Sequence, residues 1–207
     1  MLLYLMDREG LIKSLRAKGF KDNIIQAFCN VKREDFVSEG FQRLAYEDIA
    51  LPLTNDQTIS QPSTIALVLS LLKLRENQKV LEIGSGCGYT LALITEIIGE
   101  QGKAYGAEIV KELADLSVEK LKKYSNVKIY NKNGKEKFEE APFNRILISA
   151  ALKEIPHEIL DQLADNGIIV APLGSGFLQT LTAIRKISGK YIIEKEIPGF
   201  MFVKFID

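Results

Sequence analysis

Apolar positions along this chain fall into short continuous runs that alternate with stretches of helical spacing. The sharpest run is Val80-Leu81-Glu82-Ile83, closed by Gly84-Ser85-Gly86-Cys87-Gly88. Val80, Leu81 and Ile83 suit a strand covered on both faces. Behind the glycines, Leu91, Ile94, Ile97 and Ile98 recur on one face and predict a helix that stops at Gly99, a residue suited to the left-handed position after a helix end. A second strand is expected over 104–108, and a charged amphipathic helix over 111–124 with Leu113, Leu116 and Leu121 inward. Strands follow at 127–130 and 145–149, the latter ending at Ala150-Ala151. Pro156 opens a further helix that Asp165-Asn166-Gly167 closes, before a strand at 168–171. Two strands over 178–187 and 191–197, joined by Ser188-Gly189-Lys190, read as a hairpin leading to an apolar end at 200–206.

Residues 1–40 read as helical, with Leu11, Ile12 and Leu15, a break at Gly19, and then Ile24, Ile25, Ala27 and Phe28 behind a cap at Asp22. Residues 46–62 carry turn formers and prolines without a sustained period, so they form a long irregular connection anchored by Ile49, Leu51, Leu53 and Ile59. Long loops in compact domains are usually functional or disordered, and the apolar anchors favour order here. Helix resumes after Pro62 with Ile65, Leu69 and Leu72 on one face. Strands alternating with helices imply an α/β fold: a mostly parallel twisted sheet with helices on both faces, a C-terminal antiparallel hairpin and an N-terminal helical extension. Ligands in such sheets sit at the carboxyl ends of the strands, where Gly84 to Gly88, Glu108, Asn133 and Ser149 would gather. A length of 207 residues suits one domain, with residues 1–62 as a helical layer and substrate loop and residues 63–207 as the cofactor-binding core.

Composition narrows the partners. Lys+Arg and Asp+Glu balance at 27 each, which removes the electrostatic case for a nucleic acid or an anionic membrane surface. The apolar opening at 1–6 is cut short by Asp7, Arg8 and Glu9, so neither a signal segment nor a membrane span is expected and the chain reads as cytoplasmic. Cys29 and Cys87 lie far apart and suggest reduced thiols, with no metal cluster. His157, the one histidine, follows Pro156 at a helix start and reads as a surface residue. A Ser/His/Asp hydrolase is disfavoured, since Ser60 lies outside any Gly-x-Ser-x-Gly elbow.

The glycine loop is the candidate cofactor floor, because backbone N–H groups can approach a ligand where a Cβ would collide. Glu108 ends the next strand 20 residues after Gly88, the ribose-binding position of a nucleotide-type βαβ unit. A dinucleotide fingerprint would want glycine where Tyr89 stands, so S-adenosyl-L-methionine, which has no phosphate, fits better. The bland alternative is a tight turn between strand and helix.

Two stretches carry a family resemblance: Ala45-Tyr46-Glu47-Asp48-Ile49-Ala50-Leu51-Pro52 with Gln57-Thr58-Ile59-Ser60-Gln61-Pro62, and the 80–89 strand and loop. Together they resemble protein-L-isoaspartate O-methyltransferases, with further agreement at 31–37, 155–163 and 171–174. The resemblance implies a Rossmann-like methyltransferase fold and methylation, from S-adenosyl-L-methionine, of the free α-carboxylate of isoaspartyl residues in damaged proteins by a chain more often monomeric than not. It implies Ser60 and Thr58 as catalytic residues and Asp56, Gln57, Ile59 and Val203 as substrate-binding. For the cofactor it implies Glu82, Gly84, Ser85, Gly86, Cys87 and Gly88, then Glu108 and Ile109, then Asn133, Gly134 and Ser149. The chain departs from the family at Thr54-Asn55-Asp56, where Gly-x-Gly is usual, and at Asn133, Asn144, Ser149 and Lys204. A carboxylate with a reference pKa of about 4 is already ionised at neutral pH, so no strong base is needed and Ser60 would position the substrate. A helix N-cap is the plain alternative for Ser60. Rival functions are a related methyltransferase acting on another carboxylate or small molecule, and a cofactor-binding protein whose transfer activity has decayed.

Overall fold

The computed structural model describes residues 5–54 and 56–206. Two helices open it, α1 (Arg8–Ala17) and α2 (Asp22–Asn30), followed by 3₁₀ turns at Arg33–Phe36 and Glu39–Leu44. A two-stranded ladder, β1 (Leu51–Pro52) against β2 (Thr58–Ile59), precedes α3 (Pro62–Leu72). The alternating core follows as β3 (Lys79–Ile83), α4 (Tyr89–Ile98), β4 (Lys103–Ala107), α5 (Lys111–Leu121), β5 (Val127–Tyr130) and β6 (Phe143–Ile148). The chain closes with α6 (His157–Leu160), β7 (Leu163–Leu173), β8 (Gln179–Ile187) and β9 (Lys190–Phe200).

Seven strands form one sheet in the order β5-β4-β3-β6-β7-β8-β9. Pairing is parallel from β5 to β7 and antiparallel from β7 to β9. The mostly parallel sheet and the C-terminal hairpin expected from the sequence are therefore both present. At the hairpin, Ser188 and Gly189 have φ of 49° and 76°, the pair of positive values that a type I′ turn requires. The chain runs outward from β3 to β4 and β5, then returns to lay β6 on the other side of β3. That reversal opens a crevice at the carboxyl ends of β3 and β6.

The sheet is packed on both faces. One face meets α3, α4 and the N-terminal helices through Leu69, Leu72, Leu91, Ile94 and Phe28, all buried. The other carries Leu81, Ile146, Ile169, Phe138 and Phe143, with Phe138 and Phe143 in edge contact at 6.1 Å. The long loop 46–62 is held by Leu51 and Ile59, at 2% and 3% exposure, while the Ile49 side chain, 46% exposed, takes no part in the core. No helix among the described residues is long and apolar enough to cross a membrane.

Several expectations need correction. Lys21, not Asp22, is the N-cap of α2, and Asp22 is its first residue. The stretch 46–62 is not wholly irregular, since it contains the β1/β2 ladder. The helix 111–124 ends at Leu121. The helix opened by Pro156 is four residues long, and Asp165-Asn166-Gly167 does not close it but lies within β7. There the register jumps from Phe143↔Leu163 to Arg145↔Ile168, and Asn166 takes φ 62°, so the polar triplet is a bulge. Asn55 and residues 1–4, part of the substrate loop and of the apolar opening, lie outside the described residues.

Candidate active site

The floor of the crevice is built by β3 and the loop after it. Gly84, Gly86 and Gly88 all have positive φ, at 78°, 53° and 85°, which lets the chain reverse tightly into α4. Gly88 has a second reason to lack a side chain: a Cβ there would stand 2.7 Å from Leu121 Cδ1. The strictest glycine in the cleft is Gly134, where a Cβ would come within 2.1 Å of Ile83 Cγ2. Gly84 and Ser85 donate from their backbone nitrogens to Ala107 O at 2.8 and 3.2 Å, tying the loop to the end of β4.

Two carboxylates face this floor with different environments. Glu82 is 1% exposed; its Oε1 accepts from Ser149 Oγ at 2.9 Å and its Oε2 has no hydrogen-bond partner. Burial pushes its carboxyl up to about 8, against the Ser149 hydrogen bond that lowers it, with the nearby Glu108 adding to the rise. Glu108, 6% exposed, accepts from Gly86 N at 2.8 Å and from Val110 N at 2.9 Å, one backbone donor for each oxygen. Each carboxylate oxygen retains a lone pair for a further donor. Ser85 Oγ is likewise buried with no hydrogen-bond partner among the described residues. A pair of acids and an unpartnered hydroxyl at a glycine-cleared floor suit a ligand that is cationic and rich in donors, which the amino, sulfonium and ribose groups of S-adenosyl-L-methionine supply.

The opposite wall comes from parts of the chain distant in sequence. Gln57, Thr58, Ile59 and Ser60 line the cleft from the loop between β1 and α3. Val203, Lys204, Phe205 and Ile206 line it from the C-terminal tail. The tail is pinned beside Ser149 by Ala151 N to Val203 O at 2.7 Å and Phe205 N to Ala151 O at 3.0 Å. Ser60 Oγ is half-buried with no hydrogen bond among the described residues. It does not cap α3: Gln61 is the N-cap, and Ser63 N donates to Asp48 Oδ1 at 2.8 Å.

Of the residues expected at the site, the structure brings together Thr58, Ser60, Gln57, Ile59 and Val203 with Glu82, Gly84, Ser85, Gly86, Cys87, Glu108, Ile109, Gly134 and Ser149 around one cleft. Gly88 lies behind the floor under Leu121. Asn133 is not among the lining residues; its Oδ1 accepts from Lys135 N at 2.9 Å and closes the local turn. Asp56 is exposed, with φ 57°, at the tip of the loop. Sequence reasoning missed Tyr89, Lys132 and the tail beyond Val203 as lining. Tyr89 was legible as the residue directly after the last glycine; the tail was not, since its return across β6 is set by long-range pairing. His157 is exposed, and both cysteines are free thiols.

A seven-stranded sheet of this order, with a glycine-cleared crevice and an acid directly after β4, fits the class of S-adenosyl-L-methionine-dependent methyltransferases. Comparison with known proteins narrows the class. The profile described as protein-L-isoaspartate(D-aspartate) O-methyltransferase matches residues 6–207, and the chain belongs to that family. Its relatives include protein-L-isoaspartate O-methyltransferases of Thermosipho melanesiensis, 38% identical over 95% of this chain and 100% of the relative, and of Methanococcoides burtonii, 39% identical over 95% and 98%. A solved protein-L-isoaspartate O-methyltransferase superposes with a TM-score of 0.89 at 25% identity, over 96% of this chain and 65% of that one. A β-aspartate methyltransferase structure from Plasmodium falciparum, in complex with S-adenosyl-L-homocysteine, gives 0.84 at 25% identity over 97% and 99%.

Proposed function

We propose that the chain transfers the methyl group of S-adenosyl-L-methionine to the free α-carboxylate of L-isoaspartyl, and of D-aspartyl, residues in damaged proteins, the first step of their repair. Membership of the family supports this reading. The observation that carries it is the sharing of one cleft by the acidic, glycine-cleared floor and the hydroxyl-bearing loop Thr58 to Ser60.

When bound, the cofactor supplies an electrophilic methyl on a sulfonium. The protein's part is placement. Glu108 would hold the ribose hydroxyls with the lone pairs that Gly86 N and Val110 N leave free, and Glu82 with Ser149 and Ser85 would receive the polar methionine end. Gly134 leaves room for the base. On the other wall Ser60 Oγ, which has no competing partner among the described residues, would donate to the substrate carboxylate and aim it at the methyl carbon; Thr58 and Gln57 frame it, with Ile59 and Val203 as apolar contacts. A neutral donor orients the carboxylate without a full positive charge that would blunt its nucleophilicity. Alignment of this kind is worth several powers of ten in rate. We read the chain as one cytoplasmic, monomeric domain with residues 1–62 supplying the substrate wall and residues 63–207 the cofactor core.

The test is transfer of labelled methyl to an isoaspartyl peptide and to its ordinary aspartyl counterpart. Base-labile label on the isoaspartyl peptide alone is expected. Equal labelling of both, or of neither, would defeat the substrate assignment.

A further inference from the structure

The mechanism leaves one buried charge unused. Arg33, in the 3₁₀ turn after α2, is 0% exposed, and among the described residues no carboxylate forms an ion pair with it, Asp48 attracting it only from beyond contact distance. Its Nη2 donates to Ile49 O at 3.3 Å, its guanidinium carbon stands 5.2 Å from the centre of the Tyr89 ring, and Nε and Nη1 have no hydrogen-bond partner. A buried cation without a carboxylate in contact is costly, and an apolar side chain of similar reach would fill the same space without that cost. What the guanidinium adds is a directional hold on two groups at once, through a donor and a flat face.

One group lines the cleft and the other leads into a segment that does. Tyr89, 2% exposed, follows the glycine loop, lines the cleft and is braced by Phe36 at 5.4 Å and Phe28 at 6.3 Å. Ile49 stands at the entry of the loop that carries Ser60. Neighbouring contacts tether the same entry: Tyr46 hydrogen-bonds Glu34, and Asp48 takes Lys18 Nζ at 2.9 Å on one oxygen and Ser63 N at 2.8 Å on the other. Asp48 thus ties the entry of the loop to its exit, and Arg33 ties the entry to the glycine-loop helix.

We propose that Arg33 is a positioning residue for methyl transfer, fixing the loop that carries Ser60 against the Tyr89 end of the glycine loop so that the two walls of the cleft keep their spacing. The inference rests on the reading of the cleft as a methyl-transfer site. Arg33 touches neither substrate nor cofactor and acts through the Ile49 carbonyl and the Tyr89 ring.

The experiment compares the wild-type chain with Arg33→Met and Arg33→Lys in three measurements: kcat and KM on an isoaspartyl peptide, S-adenosyl-L-homocysteine affinity by calorimetry, and amide hydrogen exchange. In Arg33→Met, kcat is expected to fall about tenfold to a hundredfold, the scale of a misplacement near 1 Å. Product affinity should stay within a few-fold. Exchange should rise over residues 49–61 and stay unchanged in β3 and α4. Arg33→Lys, which keeps the charge but lacks the planar fork, should restore neither kcat nor loop protection. Unchanged kcat and exchange in Arg33→Met would overturn the proposal. So would full rescue by lysine, or a parallel loss of turnover, product binding and core protection, which is the pattern of a purely structural residue. A wild type that fails to methylate isoaspartyl peptides would defeat the substrate assignment, while the exchange pattern would still decide the role of Arg33.

Discussion

The two walls of the cleft are held by different means. The cofactor floor hangs on the centre of a seven-stranded sheet: β3 is paired on both sides, Glu108 is tied by two backbone donors, and Gly134 tolerates no side chain. The substrate wall rests on a ladder of two residue pairs, a tail with backbone bonds to Ala151, and side-chain ties from Asp48 and Arg33. Redundant pairing makes a floor insensitive to sequence around it, whereas a loop on few contacts is where substrate choice can drift. Departures from the family occur on both sides: Thr54 and Asp56 in the loop that leads into Gln57 and Lys204 in the tail, and Ser149 beside Glu82 on the floor. Separate substitutions on each wall should therefore separate transfer from cofactor binding.

The largest separation is expected from Ser60→Ala. Removing one positioned donor costs about ten to a thousandfold in turnover. Steady-state kinetics on an isoaspartyl peptide should show that loss while calorimetry finds product affinity within a few-fold of wild type. Turnover equal to wild type would leave Ser60 without a part in transfer. Next is the floor itself: Glu108→Ala should weaken S-adenosyl-L-methionine and S-adenosyl-L-homocysteine alike, by about tenfold to a hundredfold for one charge-assisted hydrogen bond of roughly 1.5–3 kcal/mol. Because this change also strips the acceptors of Gly86 N and Val110 N, Glu108→Gln serves as the milder companion.

A smaller effect is read in the pH dependence of stability. Burial raises the Glu82 carboxyl from 4.5 to about 8, so the folded protein holds that proton more tightly than the unfolded chain does. Stability from this source is full below pH 4.5 and is lost as pH climbs toward 8. Melting curves of wild type and Glu82→Gln should nearly coincide near the acid end, and the variant should become the more stable of the two by pH 8. In a chain of this size about 1 kcal/mol moves the midpoint by roughly 2–4 °C. A constant gap across that range would contradict the assignment. The smallest effect is on the substrate side of the comparison: Asp56→Gly removes an anion from the loop tip and suits the positive φ of 57°. The KM of an isoaspartyl peptide should fall a few-fold at low salt, and less near physiological salt, where the Debye length is about 8 Å.

What the sequence made legible follows the same division. The β3 run, its glycines and Glu108 are local signals, and each element landed where its periodicity placed it. Asp165-Asn166-Gly167 can end a helix or make a bulge, and only the pairing of Leu163 and Ile168 with β6 decides for the bulge. The tail 201–206 carries no sign of its return to Ala151, since that contact is made by backbone groups across the fold. Arg33 stands in the run Lys32-Arg33-Glu34-Asp35, which has the composition of a solvated face; the 3₁₀ turn nonetheless buries it beneath Tyr89.

The most direct test of the two-wall account is a crystal structure of the chain with S-adenosyl-L-homocysteine and an isoaspartyl peptide together. Glu108 should meet the ribose hydroxyls, the homocysteine end should lie by Glu82 and Ser149, and the peptide's α-carboxylate should accept a hydrogen bond from Ser60 Oγ while facing the sulfur. A peptide carboxylate bound away from the loop 57–60, or a cofactor product seated off the glycine floor, would contradict it.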